Sequence, residues 1–197
     1  MLAYTYSYVD SIDYRHVIGE VKNNTSQSRQ FVEIIADFFD AQGHLVDNAF
    51  TYTSLSVLAP GQKTCFNLLL RNQPQIVSFQ FEGVTSSTTT KSVPPLTVLN
   101  DSGHYDGSLD NYKLIGLVRN DAATQVQYVE PIATFYNASR QAIGCDSSYV
   151  NSTNLDPGQA SSFTIYNLAP TASQVVNYVI QVYGQVPIEV DLPSQEQ

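Results

Sequence analysis

Val17-Ile18-Gly19-Glu20-Val21-Lys22-Asn23 returns 97 positions later as Leu114-Ile115-Gly116-Leu117-Val118-Arg119-Asn120, and this recurrence decides the fold. Self-similarity at a fixed offset marks duplicated structural units, so it is read before any chemistry. At the same offset Ala36-Asp37-Phe38-Phe39-Asp40 meets Ala133-Thr134-Phe135-Tyr136-Asn137, and Leu58-Ala59-Pro60-Gly61-Gln62 meets Leu155-Asp156-Pro157-Gly158-Gln159. Between Arg15 and Phe66, 17 of 52 aligned residues are identical without a gap. Beyond Phe66 the second copy gains four residues in this reading, which then matches Phe79–Gly83 with Ile180–Gly184. The 197-residue chain is therefore a duplication, with about 90 residues per unit, enough for one modest sandwich core each.

Within a unit the hydrophobic period is two, which is that of a strand with alternating faces. Tyr4, Tyr6 and Tyr8 share one face of Ala3 to Val9. Val17, Gly19 and Val21 share a face of Tyr14 to Asn23, and Val32, Ile34, Ala36 and Phe38 a face of Phe31 to Phe39. Further strands are expected at His44 to Thr53, Gln62 to Leu70 and Gln75 to Gly83. Turns fall where the backbone is locally persuaded: Asp40-Ala41-Gln42-Gly43 for a hairpin, and Pro60-Gly61 at the centre of a type II turn. Short strands punctuated every ten residues or so indicate a β-sandwich. Two departures stand out in the second copy. Pro131 replaces Ile34 and is expected at an edge or bulge, and Arg140 replaces Gly43, so that hairpin is expected to need a different turn. The fold expected is all-β: two tandem immunoglobulin-like antiparallel β-sandwich domains. Their bounds are residues 1–84 and 96–190, with a Ser/Thr/Pro linker at 85–95 and a disordered tail at 191–197.

The net charge of −9, with only 9 Lys and Arg, leaves no basic stripe to neutralise phosphates, so nucleic acid is excluded as a partner. The same balance argues against anionic lipid. No apolar run approaches the 18 or so residues of a transmembrane segment, and the opening residues alternate like a strand rather than a signal peptide. Cys65 and Cys145 stand one per unit at non-equivalent positions, opposite Ser162 and Asn48. A repeated intradomain disulfide is excluded; two separate small apolar side chains are favoured over a bridge between the units.

The pattern V-I-G-E-V-K-N-N, then F-V-E-I-I-A-D-F-F-D-A-Q-G, then L-A-P-G-Q-K-x-x-F resembles the FxLYD domain family of small β-sandwich modules in prokaryotic extracytoplasmic proteins. Both units carry it, although Phe135-Tyr136-Asn137 and Arg140 depart from the usual aspartate and glycine. The resemblance implies an immunoglobulin-like fold, an extracellular or cell-surface setting and no catalytic residues.

The sequence contains no nucleophile elbow, metal-binding helix motif or phosphate loop. His16, His44 and His104 do not recur between copies and read as scattered surface residues. Glu33/Glu130 and Lys22/Arg119 do recur, and the strand order suggests a cross-strand ion pair or solvated face rather than a binding patch. The loop from Asp101 to Asp110 offers Asp101, Asp106 and Asp110 as calcium ligands, but its spacing is not that of an EF-hand; the favoured expectation is no cofactor. The recurring aromatic positions, Phe31/Tyr128 and Tyr52/Tyr149, read as core or sheet surface before they read as a dedicated sugar- or protein-binding site. Sequons at Asn23, Asn24, Asn100, Asn137 and Asn151 are candidate glycosylation sites.

The function expected is thus a non-enzymatic spacer or binding element for a protein or cell-surface glycan, with strand edges as contact surfaces open to self-association. Two other readings are a filament subunit that exchanges Ala3 to Val9 into a neighbour, and an accessory binding region of a larger secreted enzyme.

Overall fold

The structure is a computed structural model that describes residues 3–187. The first unit runs β1 (Ala3–Val9), β2 (Tyr14–Lys22), β3 (Arg29–Phe39), β4 (Leu45–Tyr52), β5 (Val57–Leu58), β6 (Lys63–Arg71) and β7 (Ser78–Thr88). The second repeats the plan with β8 (Leu96–Asp106), β9 (Asn111–Asn120), β10 (Val126–Tyr136), β11 (Ala142–Ser147), β12 (Asn154–Leu155), β13 (Ala160–Asn167) and β14 (Asn177–Gln185). A 3-10 turn, Ala172–Gln174, interrupts it. Each unit is a sandwich of two antiparallel sheets. In the first, β1–β2–β6 faces a sheet in which β3 is central, with β7 on one side and β4 then β5 on the other. In the second, β8–β9–β13 faces β10, flanked by β14 and by β11 then β12.

The expected faces form the cores. Val17, Val21, Val32, Ile34, Ala36, Phe38 and Phe66 close the first sandwich, and their counterparts from Leu114 to Phe163 close the second. The recurring glycine has a steric cause. A Cβ at Gly19 would lie 2.5 Å from the Phe66 ring opposite, and one at Gly116 2.5 Å from the Phe163 ring. Each core ring lies across the bare backbone of its partner strand. The Pro-Gly turns form as read: Gly61 and Gly158 both have φ +76°, and Gln62 and Gln159 donate back across them at 3.0 and 2.9 Å.

Four expectations are corrected. The linker is shorter, because Thr85 to Thr88 continue β7 beside Arg29 to Glu33. Arg140 needs no different turn. It adopts φ +61° where Gly43 has +83°, and Asn137 Oδ1 accepts from the Ser139 and Gln141 amides as Asp40 Oδ1 does from Gln42 and His44. The side-chain cap holds the turn against the left-handed cost of an arginine. Pro131 lies in a central strand, directly after a bulge; its carbonyl accepts from Ser148 just past the end of β11, so its missing N–H falls where that ladder has stopped. Finally, the β7 register pairs Phe79 with Phe38 as Tyr178 pairs with Phe135, so Phe79 corresponds to Tyr178 rather than to Ile180. The second copy thus gains two residues before this strand rather than four, and an extra bulge near Glu82 in the first copy takes one of them back. The tail at 191–197 and the end of the second domain at 190 lie outside the described residues.

The two sandwiches stack sheet on sheet. The outer face of β1–β2–β6 packs on the outer face of β10 and β11, joining Ile18, Leu58 and Cys65 to Ile132, Tyr136, Ala142 and Cys145 in a third buried cluster. Consequently β2 is buried on both faces from Val17 to Val21, where a solvated sheet would alternate.

Candidate binding surfaces

Two candidate surfaces emerge: the seam between the units, and a pair of equivalent clefts. At the seam Cys65 and Cys145 are joined in a disulfide, with Cα atoms 5.8 Å apart, so the expectation of two separate thiols is overturned. The residues stand on strands of facing sheets, one per unit, and stacking brings together side chains 80 positions apart in sequence. Around the bridge, Tyr136 donates to Glu20 Oε1 at 2.6 Å and Lys63 pairs with the same oxygen at 2.8 Å. Glu20 is only 7% exposed, so this pairing satisfies a carboxylate that burial would otherwise penalise. Burial, then the Glu20 carboxylate, pushes the Tyr136 phenol up. Gln141 Nε2 donates to the Thr5 carbonyl and Gln181 Nε2 to the Lys63 carbonyl, both at 2.7 Å.

None of these partners recurs. Leu117 and Ala160 stand where Glu20 and Lys63 do, and Phe39 stands where Tyr136 does. The residues that differ between copies are the ones that weld the copies together. Glu20 and Lys63 share their strand rows with His16, Lys22, Asn67 and Arg71, so nothing local marks them as buried, and only the stacking reveals their partner.

The clefts arise at a backbone irregularity that does recur. Bulges between Gln30 and Glu33 and between Gln127 and Glu130 place Phe31 at φ +50° and Tyr128 at φ +51°. A bulky residue in the left-handed region is a genuine outlier, and here it occurs twice at one structural position. The bulge turns both rings outward: Phe31 is 66% exposed and Tyr128 59%, while Tyr52 and Tyr149 are 50% and 62% exposed. Of the two placements expected for them, core or sheet surface, these aromatics take the sheet surface. Phe31 and Tyr52 border a cleft of about 310 Å³ that also takes in Gln30, Lys91, Tyr183 and Gln185. Tyr128 and Tyr149 border one of about 390 Å³ with Asn151, Ser152 and Thr153, and no charged side chain. Hydrogen bonding to Glu33 pushes the Tyr52 phenol up, which keeps it a neutral donor.

The remaining sequence candidates are dispersed. Asp101 Oδ1 accepts from Tyr178 at 2.6 Å, Asp106 Oδ1 from the Ser108 hydroxyl at 2.6 Å, and Asp110 Oδ1 from Tyr105 at 2.7 Å. Each carboxylate is committed to its own neighbour. Among the described residues no three His, Cys, Asp or Glu side chains converge on a metal position, so the calcium candidates are not brought together. His16 is wedged between Asp10 and Asn67 and stacked on Tyr8 at 4.5 Å; His44 pairs with Asp40; His104 is exposed on β8. Lys22 and Glu33 lie on different sheets, so the cross-strand pair does not form; Glu130 instead accepts from Ser147.

Of the sequons, Asn23 is buried at 5% exposure, and its Nδ2 donates to the Gln27 and Leu58 carbonyls. That nitrogen is the one a glycan would need, so Asn23 is a structural residue, as is its counterpart Asn120. Asn137 Nδ2 reaches Gln141 within its turn, Asn151 donates to Ser162, and Asn24 and Asn100 are exposed.

No family model and no curated protein matches this chain. Among solved structures it is similar to red sea bream transglutaminase, at 8% identity and a TM-score of 0.28 over 92% of this chain. The chain spans 29% of that protein's length. A likeness of this size carries no argument about activity. Among the described residues, no helix is long and apolar enough to cross a membrane.

Proposed function

We propose that the chain is a non-catalytic extracellular or cell-surface element that binds a glycan through its two aromatic clefts, the disulfide-locked seam holding the clefts in fixed relation. The observation that carries this reading is the repeated left-handed aromatic, Phe31 and Tyr128, exposed beside a second exposed tyrosine in each copy. Backbone strain held twice at one position is a pointer to function, because a glycine would fill the bulge more easily. Flat aromatic faces beside amide and hydroxyl groups suit a neutral, hydroxyl-rich polymer; the second cleft offers no charge to attract an ionic one. A buried structural disulfide fits an oxidising compartment, in keeping with the FxLYD resemblance and its extracytoplasmic setting. An accessory region of a larger secreted enzyme would use the same clefts.

The test is affinity electrophoresis of the protein through gels containing neutral cell-surface polysaccharides. At least one should retard the native protein, and the double variant Phe31→Ala/Tyr128→Ala should bind it about tenfold or more weakly. Unchanged retardation in the variant, or none with any polysaccharide, would sink the reading.

A further inference from the structure

The seam between the units is a sheet-to-sheet contact with two different sides, and among the described residues one copy of each side is unused. The outer face of β1–β2–β6 meets the outer face of β10–β11 inside the chain. Left open are the outer face of β8–β9–β13 at one end and the outer face of β4–β3–β7 at the other. We propose that a second copy of this chain docks there, its β4–β3–β7 face lying on the β8–β9–β13 face of the first and continuing the intramolecular stack.

Three observations favour this occupant. The first is burial by position. Ile18 is 1% exposed at the seam, and its counterpart Ile115 is 42% exposed on the open face. Ala142 is 1% exposed at the seam, and its counterpart Leu45 is 60% exposed at the other end. Apolar residues stand uncovered at the positions the seam covers.

The second is that the contacts change in matched pairs. Inside the chain, buried Glu20 and Lys63 meet the Tyr136 hydroxyl. On the open faces the corresponding residues are Leu117 and Ala160 on one side and Phe39 on the other, so polar meets polar or apolar meets apolar. Likewise the Cys65–Cys145 bridge corresponds to Ser162 and Asn48, a pair capable of hydrogen bonding. A mismatch, such as a lone Glu20 equivalent facing phenylalanine, would argue against docking, and none occurs at these positions.

The third is charge. Arg119 is already paired with Asp121 of its own unit, which leaves Lys113 as the positive charge in the outward row of β9, whereas Glu33 and Asp37 belong to the outward rows of β3. Opposite signs at the two ends favour head-to-tail contact over contact between like ends.

Because the two faces differ, the contact is heterologous and leaves a fresh face at each end, giving an open polymer rather than a closed dimer. It differs from strand exchange, since β1 pairs with β2 of its own unit from Ala3 to Val9 and is not free to leave. The clefts stay accessible in the stack: Tyr149 is 62% exposed although its sheet is already covered at the seam.

Sedimentation velocity across a concentration series tests this independently of any glycan. The native protein should show mass rising progressively past the dimer. Leu45→Asp and Ile115→Asp each spoil one face at an exposed position, and thermal melts check that each remains folded. Either variant should associate at least about 30-fold more weakly than the native protein. An equimolar mixture of the two should form a dimer and stop there, because one sound face of each kind remains. A native protein that stays monomeric at millimolar concentration, closes as a dimer, or loses nothing in either variant would overturn the proposal, as would a mixture that fails to pair.

Discussion

Asp146 is the residue whose ionisation the fold opposes most plainly. It is half-buried over its whole surface, yet burial of its carboxyl pushes the pKa up to about 7, against a partial offset from the Asn167 amide at 3.1 Å. A folded-state value above the unfolded one means that the native protein holds a proton the unfolded chain releases. The resulting stability is fully present below about pH 4, falls as pH rises toward 7 and is absent above it. Asp146→Asn should therefore leave the urea midpoint unchanged near pH 4 and raise stability at pH 8 by on the order of 2 kcal/mol. Equal effects at both pH values would contradict the assignment. At this scale the sequence was partly legible. Gly61 and Gly158 announced their turns, whereas Asn23 read as a glycan site because a sequon says nothing of burial, and its structural role rests on carbonyls as distant as Leu58.

Among elements, the strands were legible because period-two alternation is a local property; the read strand over Phe31 to Phe39 lies within β3 at Arg29–Phe39. Bulges were not, since they depend on which partner residues face the strand. Turns mislead for a related reason: at Arg140 a residue that disfavours a left-handed turn adopts it because the upstream Asn137 supplies the cap. The bulged strands β3 and β10 carry a prediction of their own. Replacing Tyr128 or Phe31 by glycine removes a left-handed penalty of about 1–2 kcal/mol and adds glycine's entropic cost of about 0.5–1 kcal/mol. Each variant should unfold at equal or higher denaturant concentration than the native protein while losing its cleft's aromatic wall. A clear loss of stability in either would mean that the ring serves packing and that the strain has a structural cause.

At the scale of the whole molecule, the duplication was legible and the union of its halves was not. Composition and spacing treat Cys65 and Cys145 as unrelated, because nothing in a sequence states that one sheet of the first copy faces the opposite-type sheet of the second. The stack explains why the copies diverged where they did: Glu20, Lys63, Tyr136 and both cysteines are seam residues, while recurring residues such as Gly19, Phe66 and Pro60 build each sandwich. Closing an 80-residue separation should make the bridge worth about 2–4 kcal/mol, so Cys65→Ser should lower the unfolding midpoint and split one cooperative transition into two.

The bridge itself is the most direct test that the two copies form one locked body. Digestion with trypsin under non-reducing conditions cuts after Lys63, Arg71 and Arg140, placing Cys65 in the peptide 64–71 and Cys145 in the peptide 141–197. Mass spectrometry should find those two peptides joined and released only on reduction. Recovery of both peptides separately, each quantitatively alkylated in the folded and unreduced protein, would contradict the account.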